Sequence, residues 1–144
     1  ANPETPTLVS AVQHFTACDP VVANETNSFV TLHSNSWCGN MVNVLNVYDT
    51  SNPNEPILIN MVELSYPKGL GLYGNYLFVC DDKIKIFDIT NPENLVQVGV
   101  LQRICHDVII RGDDLFAIGE FGLYRYQLNP DDISDIVEKS SISF

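Results

Sequence analysis

The sequence predicts an all-β fold assembled from β-propeller blades, and three observations predict it. The dipeptide Asn-Pro recurs at Asn2-Pro3, Asn52-Pro53, Asn91-Pro92 and Asn129-Pro130, in steps of 50, 39 and 38 residues. Periods of roughly 20–50 residues mark solenoids, propellers or arrays. The flanks recur too: Leu45-Asn-Val-Tyr-Asp answers to Ile84-Lys-Ile-Phe-Asp, and a weaker third copy, one residue shorter, is Leu123-Tyr-Arg-Tyr-Gln-Leu. Finally, no segment keeps a 3.6-residue apolar period, whereas short aromatic and β-branched runs are bounded by Gly, Asn, Asp and Pro.

The middle copy shows the unit. A first strand over 69–73 is followed by Gly74-Asn75, a hairpin turn of two residues that tolerate positive φ. A second strand covers 76–80, and 81–83 turn. The third strand, 84–89, places Ile84 and Ile86 on one face. Thr90-Asn-Pro-Glu-Asn turns, because proline cannot serve inside a ladder, and 95–101 is the fourth strand. Residues 131–139 could make a short helical turn, but by analogy with the other copies they read as turn then strand.

Four-stranded units near 40 residues are blades rather than solenoid coils. The chain of 144 residues then holds three four-stranded antiparallel blades, approximately 18–64, 68–103 and 105–143. Residues 1–17 are the end of a preceding blade, with an orphan fourth strand near 7–13. Propellers close with roughly 4–8 blades. The expectation is the C-terminal part of a larger propeller, or closure with another copy. A start at Ala-Asn-Pro, without Met or leader, fits a processed chain or one beginning inside a longer protein. The end faces, assigned as Val21, Val22 and Phe29 on the first blade and Val108, Ile110 and Phe116 on the last, are expected to need neighbours. The isolated chain is therefore expected to self-associate or to be poorly soluble.

Composition narrows the function classes. The apolar fraction of 45% can bury a core, and no stretch is long and apolar enough for a transmembrane helix. Seven basic against 18 acidic residues give a net charge of −11, and no Lys or Arg precedes Lys68. Nucleic acid and anionic bilayers are poor partners for such a field. The four cysteines show no CxxC spacing, which argues against a zinc finger, and their even number leans toward an oxidising compartment.

Several stretches carry a family resemblance: Leu77-Phe-Val-Cys-Asp-Asp, Lys85-Ile-Phe-Asp-Ile-Thr-Asn-Pro and Asn46-Val-Tyr-Asp-Thr-Ser-Asn-Pro. They resemble the LVIVD-repeat propellers of bacterial and archaeal surface proteins. Cys18-Asp-Pro-Val-Val, Phe29-Val-Thr-Leu-His, Trp37-Cys-Gly-Asn and Lys68-Gly-Leu-Gly-Leu resemble a Bacteroidetes-type subgroup of surface lipoproteins. The resemblance implies a lipid-anchored protein on the outer face of the bacterial outer membrane, with the anchor cysteine and early blades ahead of Ala1. It implies no agreed activity. Two departures stand out: Gln127 replaces the repeat Asp, and Cys105 is not expected where it occurs.

Candidate sites follow from the blade map. Cys18 and Cys38 fall on one rim and are expected to form a disulfide; Cys80 and Cys105 fall on the same rim as a second pair, although four cysteines allow three connectivities. Residues 33–43, an insertion of about nine residues relative to the second copy, contain His33, Trp37 and Asn40. The single Trp could anchor a partner or cap the blade's own edge, and the two readings stand level. Asp81 and Asp82 are adjacent carboxylates, too few for Ca²⁺, and read as a solvated turn. His106-Asp107 resembles half of a dyad but lacks a nucleophile at a recognisable spacing. Arg111-Gly112-Asp113 reads as a hairpin turn rather than an adhesion tripeptide, and the sequon Asn24-Glu25-Thr26 likewise as a turn. No cofactor or metal is expected.

The first expectation is thus a non-enzymatic surface scaffold, or a subunit of an outer-membrane assembly, meeting unidentified surface or membrane proteins through loops at one rim. The alternative is a hydrolase-type enzyme with acidic and His residues at that rim. The positions of Asp81, Asp82, His106 and Asp107 discriminate: convergence in one pocket favours the enzyme, scatter the scaffold.

Overall fold

The computed structural model describes residues 4–13, 20–34 and 42–144. Among these residues there are strands and turns and no helix. Three four-stranded antiparallel sheets follow one another along the chain. The first holds β1 (Val21–Ala23), β2 (Asn27–Leu32), β3 (Val44–Asp49) and β4 (Ile57–Glu63). The second holds β5 (Leu70–Tyr73), β6 (Tyr76–Cys80), β7 (Ile84–Asp88) and β8 (Val96–Leu101). The third holds β9 (Asp107–Arg111), β10 (Asp114–Gly119), β11 (Gly122–Leu128) and β12 (Ile136–Ser143). Each strand pairs with its sequence neighbours, so every sheet is a meander.

The side-chain period of two explains how the sheets stack. In the second sheet Leu77, Val79 and Phe87 turn to a core shared with Phe29, Leu45 and Val47 of the first. Phe78, Ile84 and Ile86 turn the other way, to a core shared with Val108, Leu115 and Ala117 of the third. The middle sheet is apolar on both faces and reads as unbroken apolar runs rather than as alternation. Phe29, Leu77 and Phe78 are fully buried, each contributing about 2–3 kcal/mol of transfer free energy.

The turns repeat with their sequences. Gly74 (φ 54°) and Gly112 (φ 57°) occupy the left-handed region in the first hairpins of the second and third sheets. The latter is the geometry expected of Arg111-Gly112-Asp113. Each Asn-Pro turn is closed by its own asparagine: Asn52, Asn91 and Asn129 Oδ1 accept from the backbone N–H two residues on, at 3.2, 3.2 and 3.0 Å. Asn24 Oδ1 accepts from Thr26 and Asn27 N–H, so the sequon asparagine also holds a turn. A register shift recurs at equivalent places, Val47/Tyr48, Ile86/Phe87 and Arg125/Tyr126. A bulge repeated this way twists every third–fourth strand pair alike.

Two expectations are corrected. Residues 7–13 form no strand; a fourth strand pairs with the third strand of its own sheet, and none lies beside this segment among the described residues. The segment instead lies over the outer face of the first sheet, where Ser10 Oγ donates to the Pro53 carbonyl at 2.5 Å. The end faces were also mixed. Val22 and Phe29 face the second sheet, as do Val108 and Ile110. By alternation and pairing register, the outward residues are Val21 and Val30 on the first sheet and Ile109, Phe116 and Ile118 on the third.

Candidate functional site

The site lies at the rim where the first strand of each sheet begins and the second ends. Its backbone is tightly tied. Lys68 N–H donates to the Cys80 carbonyl at 2.7 Å, Cys80 N–H to the Gly69 carbonyl at 2.9 Å, and Gly69 N–H to the His106 carbonyl at 3.0 Å. Thr31 Oγ1 donates to the Lys68 carbonyl at 2.5 Å. A Cβ on Gly69 would lie 2.6 Å from the Asp107 Cα, so the starts of β5 and β9 meet only because residue 69 has no side chain. Cys80 and Cys105 form a disulfide across the same junction, with Cα atoms 5.4 Å apart. The other cysteine pair, Cys18 and Cys38, lies outside the described residues, as do Trp37 and Asn40.

Asp81 is the most constrained polar group at the rim. It is 2% exposed, which overturns the solvated-turn expectation. Its carboxylate accepts Ser65 N–H at 3.1 Å, Tyr66 N–H, and the Lys85 ammonium at 2.5 Å. The connection between the first and second sheets is thereby fastened to β6. Burial pushes the Asp81 carboxyl upward, but the Lys85 bond and the two backbone donors outweigh it and hold the group below the ordinary carboxylate value. Asp82 is half-exposed and shares Lys85 at 3.1 Å. Both Asp81 oxygens are engaged, and among the described residues no three His, Cys, Asp or Glu side chains converge as metal ligands.

Beside this clamp is a more open group. The Lys68 ammonium lies 2.7 Å from His106 Nδ1 and 5.0 Å from the Tyr66 ring centroid. The His33 ring meets Tyr66 edge-on at 5.3 Å. Thus His33, Asp81, Asp82 and His106 share one rim. Asp107 departs from them: its Oδ1 accepts the Val108 N–H at 2.9 Å, and it borders a cavity of about 120 Å³ on the outer face of the third sheet with Ile109, Phe116, Ile118 and Leu123. The four discriminating residues therefore do not converge on one pocket.

Tyr66, Lys68 and Lys85 are participants that pattern reading did not single out. A usable signal existed: Lys68 and His106 hold equivalent places just ahead of the first strand of their copy, their N–H groups donating to the Cys80 and Ile118 carbonyls of the second strand, and equivalent positions of a repeat array gather on one rim. A second feature lies on the outer face of the first sheet. A groove of about 450 Å³ is lined by Leu32, Val44, Asn46, Tyr48, Leu58 and Met61. Asn46 is 4% exposed; its amide donates to the Tyr48 hydroxyl at 3.2 Å, while its Oδ1 has no partner.

Neither a family model nor a curated protein matches the chain. Among solved structures, it is similar to the crystal structure of a functionally unknown protein from Desulfotomaculum acetoxidans DSM 771. The TM-score is 0.70 at 12% sequence identity, over 92% of this chain and 44% of that one. The likeness is one of fold, and the chain spans less than half the length of that neighbour.

Proposed function

We propose that the three sheets are consecutive blades of a β-propeller of the LVIVD-repeat type, and that the protein is a non-enzymatic interaction scaffold on the bacterial cell surface. The carrying observation is the equivalence of the sheets. Phe29, Phe78 and Phe116 occupy one repeat position, and the first two are buried against the sheet that follows. Phe116 faces outward on the third sheet, next to the exposed Ile109 and Ile118. That face is shaped to receive a further sheet, which fits an open segment of a larger ring. The neighbour of more than twice the length fits the same reading.

The non-enzymatic part rests on how the polar groups are spent. Asp81 is committed to holding a loop, Asp107 is turned to another face, and Lys68 occupies His106 Nδ1. A buried disulfide between adjacent sheets suits an oxidising compartment and hence a surface location, with a lipid anchor ahead of the described chain. Affinity capture from native membranes, read by mass spectrometry, tests the scaffold. Recovery of a defined membrane or surface protein is expected. Turnover of glycoside or phosphate-ester substrates, lost on His106→Ala, would replace this reading with the hydrolase.

A further inference from the structure

We infer that the rim group Lys68, His106 and Tyr66 is a binding site for a carboxylate-bearing sugar, a uronate. The inference rests on the scaffold reading, which it supplies with a ligand class.

The first argument is charge. The chain carries −11, so its cations are scarce. Among the described residues Lys85, Arg103 and Arg125 are paired with carboxylates. Lys68 is held differently: among the described residues its partners are an imidazole and an aromatic ring. An ammonium donates and cannot accept, so His106 Nδ1 is the acceptor and the imidazole proton sits on Nε2. His106 is exposed at the rim. Among the described residues the Tyr66 hydroxyl has no hydrogen-bond partner, and Tyr66 is 44% exposed. The remaining Lys68 protons, the His106 Nε2–H and the Tyr66 hydroxyl are donors in search of an acceptor-rich anion.

The second argument is rigidity. Backbone bonds to Cys80 and His106, the Thr31 hydroxyl and the Cys80–Cys105 disulfide fix the segments bearing Lys68 and His106. Donors placed this way lose little freedom on binding.

The third argument selects the class. One full positive charge matches one carboxylate; a phosphate monoester near −2 is undercompensated here, and planar forked recognition would call for arginine. The edge-to-face Tyr66–His33 pair adds an apolar ring surface beside the cation. A uronate offers both parts, a carboxylate for Lys68 and a pyranose C–H face for Tyr66.

The test uses isotope-labelled protein titrated with D-glucuronate, D-glucose and acetate, observing His106 and Tyr66 ring signals. Glucuronate is expected to shift both in a saturable way, with affinity at least about tenfold above glucose and acetate. Lys68→Met is expected to weaken glucuronate about tenfold, and Tyr66→Leu to bring glucuronate down to acetate. Unchanged Asp81-region signals verify that each variant keeps the rim folded. Absence of shifts with glucuronate, equal response to acetate, or a Lys68→Met protein that binds as before would each overturn the site while leaving the scaffold standing. Cleavage of an aryl glucuronide would overturn the non-enzymatic reading and support the site.

Discussion

The two ends of the sheets are built on opposite plans. At the Asn-Pro end, the three copies use the same bonds. An asparagine closes each turn. At the end of each third strand Thr50, Ile89 and Leu128 donate their N–H to the first hairpin turn at 2.7, 2.9 and 2.8 Å. Asp49 and Asp88 accept from the residue two places on. Tyr73 reaches the third sheet there, and burial together with Asp113 pushes its hydroxyl up to about 12. At the opposite rim the backbone still repeats, Lys68 and His106 N–H donating to the Cys80 and Ile118 carbonyls at 2.7 Å, but the side chains do not: Leu32, Asp81 and Gly119 stand in equivalent places, and the Asp81–Lys85 ion pair and the Cys80–Cys105 disulfide each occur once among the described residues. Uniformity marks what every copy needs in order to fold. Divergence marks where one copy acquires a private clamp and a private surface.

This contrast can be broken at its strongest point. Asp81→Ala leaves the Ser65 and Tyr66 N–H groups without their buried acceptor and Lys85 with Asp82 alone, and is expected to cost about 4 kcal/mol, mostly from the two unsatisfied donors. Urea unfolding measures it, and a cost below about 1 kcal/mol would place Asp81 among ordinary surface pairs. Next comes the disulfide. Replacing Cys80 and Cys105 together by serine opens a cross-link of separation 25 and is expected to cost about 3 kcal/mol. Hydrogen exchange should rise most at the junction of the second and third sheets.

The repeated end should respond more mildly. Asn91→Ala removes one side-chain-to-backbone bond and is expected to cost about 1 kcal/mol. Asn52→Ala should match it, a clear inequality between the two contradicting the uniformity of this end, and Asn129→Ala should cost slightly more because its amide also donates to Asp135 at 3.0 Å. The smallest effect concerns pH. Asp88 is held below its ordinary value by its bonds from Thr90, side chain first and backbone second, and Asp49 likewise by Ser51. Carboxyls depressed in the folded state stabilise it above the unfolded value of 3.8 and lose that contribution as pH falls through the folded value. Asp81 follows the same sign. Acid unfolding curves between pH 5 and 2 should therefore flatten slightly in Asp88→Asn and more in Asp81→Asn.

Legibility in the sequence follows the same division. Features that recur are readable, because each copy annotates the next: β6 (Tyr76–Cys80) coincides with the strand expected over 76–80, and Gly74 and Gly112 carry the positive φ expected of their turns. The strand expected over 7–13 failed because composition shows propensity but not the presence of a partner ladder. Face assignments mixed Val21 with Val22, and Phe116 with Val108, because a period of two yields two sets of residues without saying which set meets which neighbour. The recurrent bulge was invisible, since nothing at Val47, Ile86 or Arg125 signals an unpaired residue. Asp81 was misread because a carboxylate in a turn looks the same whether water or Ser65 N–H satisfies it. Lys68 was passed over because its importance depends on His106, 38 residues away.

The Cys80–Cys105 bond also has a mechanical consequence. A chain pulled from its two ends transmits tension along its covalent path, and here that path jumps from residue 80 to residue 105. The strands β7 and β8 lie inside the bypassed loop and carry no load. The oxidised protein therefore withholds about 85 Å of extension that its reduced form would release. The first and third sheets, with β5 and β6, lie outside the bypassed span and take the load, while β7 and β8 stay gathered. Under such tension the bond would keep the end of β6 beside the segment leading into β9 after the first sheet had come apart.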